Sequence, residues 1–241
     1  MKKYTSAALL ALRLTCTSAL AVFTVSGILQ LFDGYRELMP GGIPLQTTFG
    51  FEELLRAAAQ PSGKRCALLL LGFLMGTAGN SRGCKSVYTM NRLGLREHHM
   101  ALVFGLVFTG WFVLYWAFLL ALCYGLFVWY SRFTLVGSNA FMLAAWRSEW
   151  LHILLPMGEW WGWLRNFALC MSFGFCAAIG SQLMRRGKFP VGILVPPVLC
   201  MILLDGRIAA LGPALSLTAL LTAFTAAYYF SMKGGCEDED L

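Results

Sequence analysis

Apolar residues in this chain fall in long unbroken runs, not in the alternating or three-to-four-residue rhythm of a half-buried surface element. The run from Ala7 to Leu31 is interrupted only by Arg13, and Met100 to Tyr130 is thirty-one residues without a charge. Crossing a bilayer takes roughly 17–25 apolar residues in a helix. The runs therefore predict spans at about 7–31, 66–81, 100–130, 167–183, 189–204 and 208–232. The fold expected is all-α: a polytopic helical membrane protein of about six transmembrane helices in a single transmembrane domain over 1–241, with both termini cytoplasmic.

The runs differ in quality. Cys66 to Gly79 is short and needs Asn80 and Ser81 to lengthen it, so five spans with one buried or re-entrant run is the other count. The third run exceeds the hydrocarbon thickness and is expected to tilt and project beyond it. Arg13 lies within about a turn and a half of the start of the first run, from where it can snorkel to the near surface. Only Asp205, Gly206 and Arg207 separate the fifth and sixth runs, which requires a tight external turn.

Composition agrees: 58% hydrophobic, 13% charged and a mean hydropathy of +0.65 stand outside the range of soluble domains. The net charge of +7 then suits lipid headgroups and orientation signals, and nucleic acid is not an expected partner. Lys/Arg bias puts the N-terminus inside. Dense inside segments carry Lys2 and Lys3, then Arg82, Lys85, Arg92 and Arg96, then Arg185, Arg186 and Lys188, and finally Lys233 before the acidic tail 233–241. The expected location is a bacterial-type cytoplasmic (plasma) membrane, multi-pass. A signal peptide cut after Ala19-Leu20-Ala21 is the rival reading of the start, but Arg13 sits in what would be its apolar heart and the run continues past Ala21. The eight cysteines show no CxxC or metal-ligand spacing.

Two external loops are expected, 33–64 and 131–166. In the first, Thr47 or Thr48 is placed to cap a short helix, with Glu52 and Glu53 in its first turn and Pro61 ending it. The second carries Trp146, Trp150, Trp160, Trp161 and Trp163 among Arg147, Glu149, His152, Glu159 and Arg165. Aromatic rings mixed with charges describe an interfacial anchor; an external lid or gate is the other use of the same residues.

Chemistry of its own is not expected. Glu52-Glu53-Leu54-Leu55-Arg56 resembles the paired-glutamate motif of intramembrane CAAX-type proteases but is one residue short before the arginine, and no histidine-bearing spans accompany it. Ser138 lies in a loop and His98, His99 and His152 lie outside the spans, unlike a rhomboid-type serine protease. No phosphate-binding glycine loop and no HExxH occur. No metal, cofactor or catalytic residue is assigned to the chain, and the spans lack the midplane charges of an ion-driven carrier.

One cytoplasmic segment remains, 82–99, longer than two antiparallel helices need to be joined. Val87, Met90 and Leu93 fall at helical spacing, with Lys85, Asn91 and Arg92 on other faces; Gly94 breaks the helix, and "LREHH" re-enters the membrane. This pattern resembles the coupling helix of ATP-binding-cassette (ABC) transporter permeases of the type 2 exporter family, where the same place often reads L-P-x-S/R-R. Here Gly94 stands where proline often does, and Glu97 where a second basic residue is more usual. The six-span count and the two inside termini fit the same pattern. The chain departs from it in having no amphipathic helix before its first span and only Asp205-Gly206-Arg207 between its last two.

The resemblance implies a permease subunit that couples a separate ATPase subunit, carrying its own ATP and Mg, to export of an amphipathic or lipophilic substrate such as a peptide, lipid or drug. A second permease chain, the same or homologous, completes the unit. Lys85, Val87, Tyr88, Met90, Asn91, Arg92 and Leu93 are the expected ATPase-binding residues. Two plainer readings stand beside it: a solvated loop obeying the charge rule, and, for the whole chain, a non-transporting membrane scaffold or accessory or sensor subunit.

Overall fold

A backbone that crosses lipid must satisfy its own hydrogen bonds, which leaves helices or closed barrels. The computed structural model describes residues 2–38, 51, 61–77, 92, 94–95, 97–132 and 139–185, and among these there is helix and no strand. Six helices are bounded: α1 (Lys2–Leu38), α2 (Pro61–Gly76), α3 (Glu97–Tyr130), α4 (Ala140–Arg147), α5 (Glu149–Leu154) and α6 (Trp160–Arg185). Three of them are long and apolar enough to cross a membrane, over Lys3–Arg36, His99–Tyr130 and Trp160–Met184. The sixteen residues of α2 rise only about 24 Å, less than the roughly 30 Å hydrocarbon core. The expected spans 189–204 and 208–232 and the tail 233–241 lie outside the described residues.

Boundaries shift where packing carries a helix past its apolar run. The stretch Asp33–Leu38, expected in the first external loop, continues α1, and Pro61 opens α2 at the position where its missing N–H costs nothing. Trp160–Asn166, expected in the second external loop, form the first turns of α6. Glu97–His99, expected in the cytoplasmic segment, begin α3. The proposed helix at 47–60 is described only at Phe51.

Direction follows from residue pairs. Tyr4 meets His99 with ring centroids 5.8 Å apart, Trp111 donates to the Thr15 hydroxyl at 3.0 Å, and Tyr35 stacks on Trp129 at 6.0 Å. Both numbers rise together, so α1 and α3 are parallel. Phe112 stacks on Phe173 and Trp116 meets Trp163, while Gly105 lies against Phe175, so α6 runs antiparallel to α3. Gly72 faces Phe112 and Phe173, and Gly76 faces the Ala177 carbonyl, which sets α2 alongside α6 in the same sense. The four helices therefore alternate in direction, α1 and α3 one way, α2 and α6 the other.

Size complementarity holds them. The buried row of α1 is Ala7, Ala11, Thr15, Ala19, Val22, Ser26, Gln30 and Gly34, almost all small. The buried row of α3 is Met100, Phe104, Phe108, Phe112, Tyr115, Leu119, Cys123, Leu126 and Tyr130, almost all large. Lipid tails are as apolar as leucine, so helices in a membrane gain from close packing and hydrogen bonds, not from leaving water. Across the α1–α3 contact Thr15 meets Trp111, Ser26 meets Tyr115, Gly27 meets Phe118 and Gly34 meets Leu126, small residues of α1 receiving large ones of α3. The α3–α6 contact uses the same device with glycine: a Cβ added at Gly174 would stand 2.5 Å from the Thr109 backbone nitrogen. The outward side of α1 is apolar instead, with Leu9, Leu20, Val25, Ile28, Leu29 and Phe32 exposed, as a lipid-facing surface requires.

Candidate functional site

Parallel α1 and α3 require the chain between α2 and α3 to return to the end where α1 begins. The structure shows this at its described residues: a Cβ on Gly94 would lie 3.9 Å from the Lys3 Nζ, and the Tyr4–His99 ring contact closes the same end. Gly94 has φ +58, in the left-handed region that glycine enters freely, so the helical path breaks there before α3 starts. Arg92 has helical backbone and is exposed, while Leu95 packs against the core. Lys85, Val87, Tyr88, Met90, Asn91 and Leu93 lie outside the described residues. Of the expected ATPase-binding set, Arg92 alone is located, on the same end of the bundle as Lys3.

The tryptophan-rich segment occupies the other end. Exposed Met142, Leu143 and Trp146 lie on one side of α4, and Ala144 and Ala145 are buried on the other. Ser148 caps α5, its hydroxyl accepting from the Leu151 N–H. The last carbonyls of α5 are then capped by tertiary partners. Asn166 Nδ2 donates to Ile153 O at 2.8 Å, Arg165 Nη2 donates to the same oxygen at 3.3 Å, and Trp116 Nε1 donates to Leu154 O at 3.0 Å. Those carbonyls carry the negative end of the α5 dipole, so a guanidinium is well placed beside them. Gly158, with φ +82, turns the chain into α6.

The four described tryptophan side chains of this segment are all exposed. Trp146, Trp160 and Trp161 are 67%, 62% and 50% exposed, and the Trp160 and Trp161 rings lie with centroids 3.8 Å apart and planes tilted by 30°. Trp163 is 42% exposed and its ring edge meets Trp116. The backbone of Trp150 lies in α5; its side chain is outside the description. Exposed aromatic rings with a polar handle suit amphipathic anchoring at the headgroup level.

Several polar residues in the spans were not singled out from the sequence. Ser26 and Tyr115 hydroxyls lie 2.8 Å apart, and Gln30 Nε2 reaches Cys123 Sγ at 3.7 Å, while Gln30 Oε1 is buried without a partner. With Thr15 and Trp111 these make a polar seam along α1 and α3. Its signal in the sequence is the coincidence of Thr15, Ser26 and Gln30 with the alanine row of one helix. Among the described residues no three His, Cys, Asp or Glu side chains converge; Glu52 and Glu53 fall outside them. No protein-family model, curated protein or solved structure matches this chain.

Proposed function

We propose that the chain is the membrane-spanning permease subunit of an ATP-driven exporter of the ABC type, with the segment between α2 and α3 as the docking element for a separate ATPase. One observation supports the reading above the rest. The approach to α3 carries a left-handed glycine break at Gly94, beside Lys3, on the end of the bundle where the N-terminus lies. A short helix ahead of such a break transmits a partner's push to α3, and α3 contacts both α1 and α6. Tyr88, Met90 and Leu93 would supply apolar knobs for a cleft in the ATPase, and Lys85, Asn91 and Arg92 the polar rim that sets register. ATP and Mg belong to the partner; a second permease chain, the same or homologous, would complete the unit in a bacterial-type plasma membrane.

Co-expression with a Walker-motif ATPase encoded by an adjacent reading frame tests it. The ATPase should co-purify with the chain and hydrolyse ATP faster in its presence. Tyr88→Asp with Met90→Asp should release it or uncouple hydrolysis. Survival of both binding and stimulation in that double variant overturns the docking assignment.

The second reading, a non-transporting scaffold or accessory subunit, is favoured by the described interior. Phe104, Phe108, Phe112, Tyr115, Leu71 and Met75 are buried there, large side chains that occupy the middle of the described bundle. Under that reading the double variant leaves the ATPase's membrane association unchanged.

A further inference from the structure

The outward side of α1 carries a single charge within its apolar length. Arg13 is exposed between Leu9 and Leu12, which are 66% and 42% exposed, and Leu20, which is 50% exposed. Among the described residues nothing anionic faces it, and the nearest acid on α1 is Asp33, twenty residues or about 30 Å further along. The Tyr4–His99 contact marks the near end of the bundle, and Arg13 lies nine residues, about 14 Å, beyond it. A guanidinium left there among acyl chains is costly, and arginines in such places are paired or reach for the interface.

Helix geometry gives the direction of reach. Side chains on a helix lean toward its N-terminus, so the reach open to Arg13 is back toward the near end of α1. By register Leu9 and Arg13 share one face, four residues apart. That face offers a fork-shaped cation beside leucines that suit acyl chains. The fork matches phosphate oxygens bidentately, and low polarity strengthens the pair.

We propose that this face of α1 is a binding site for an anionic phospholipid, with Arg13 holding the phosphate of a lipid in the leaflet nearest the N-terminus. The proposal rests on the membrane-spanning assignment of α1 and not on any ATPase partner. Full-length chain, purified from membranes into nanodiscs of mixed phosphatidylcholine and phosphatidylglycerol, is assayed by native mass spectrometry for retained lipid. The wild-type chain should retain phosphatidylglycerol preferentially. Arg13→Gln should lower that retention about fivefold, the scale of one basic residue near an anionic surface. Arg36→Gln, an exposed arginine at the opposite end of α1, should leave it unchanged. Adding Leu9→Arg to Arg13→Gln returns a cation to the face one turn nearer the headgroups and should restore retention, which separates lost charge from lost folding.

Retention by Arg13→Gln equal to wild type overturns the proposal, as does an equal loss in Arg36→Gln. A change in oligomeric state without a change in retained lipid also overturns it and points to a protein carboxylate as the partner. Loss of the chain from membranes on alkaline washing would instead fail the membrane assignment, a separate outcome.

Discussion

The Tyr115 hydroxyl lies 2.8 Å from the Ser26 hydroxyl in the buried seam between α1 and α3, joining residues 89 positions apart. Both side chains are buried. Hydrogen bonds between helices in lipid contribute about 0.6 kcal/mol on average and up to about 1.7, because the separated helices also find partners. Ser26→Ala and Tyr115→Phe should each destabilise the fold by about 1 kcal/mol. The double variant should lose less than the sum, since neither hydroxyl is then left alone. Reversible unfolding in mixed micelles measures the cycle; strictly additive losses would mean that the two hydroxyls do not interact.

Three glycines in the spans should respond differently to the same added methyl. At Gly174 the new Cβ would meet the Thr109 backbone at 2.5 Å, where only separation of α3 from α6 gives room. At Gly27 it would meet the tip of the Phe118 ring at 3.0 Å, which can swing aside. At Gly110 it would meet nothing within 4 Å. Gly174→Ala should therefore cost about 1–3 kcal/mol, Gly27→Ala less, and Gly110→Ala should be neutral or stabilising by up to about 1 kcal/mol from helix propensity. Thermal midpoints in one detergent rank them, and a Gly174→Ala midpoint at or above that of Gly110→Ala contradicts the close α3–α6 approach.

The same glycines show what the sequence pattern could carry. The three long apolar helices were legible because a long apolar run in lipid has to satisfy its own backbone hydrogen bonds. Their true ends were not, because they depend on neighbours: α1 continues through Asp33 and Gly34 as Leu126 and Trp129 pack beside it. Trp160–Asn166 read as loop for the same reason. Arg165 and Asn166 look like water-facing residues until the α5 carbonyls they bond are known. The alanine row of α1 was visible in principle, yet its meaning required the large row of α3 against it.

Asn166 Nδ2 is the shorter of the two side-chain donors to Ile153 O, at 2.8 Å. Asn166→Leu keeps the volume and removes the donor, so α5 should loosen while the four-helix packing below it stays intact. Hydrogen exchange of the amides in 149–155 should quicken, with little change in the α3 amides around Phe108 and Phe112. Uniform quickening across both regions would instead make Asn166 part of the global fold rather than the tie for α5.

Topology supplies the last test. Parallel α1 and α3 place Arg92 on the side of Lys3, and Arg132, just past the end of α3, on the opposite side. Both side chains are exposed, so each tolerates replacement by cysteine in a background where the eight native cysteines are changed to serine or alanine. In sealed right-side-out vesicles a membrane-impermeant maleimide should label Arg132→Cys at once and Arg92→Cys only after lysis, as the Lys/Arg bias of the inside segments requires. In inverted vesicles the order should reverse. Labelling of both from the same side would mean that α3 does not cross the membrane. Opposite labelling with Arg92→Cys outside would keep that crossing but turn the chain over, moving the segment before α3 out of reach of any cytoplasmic ATPase.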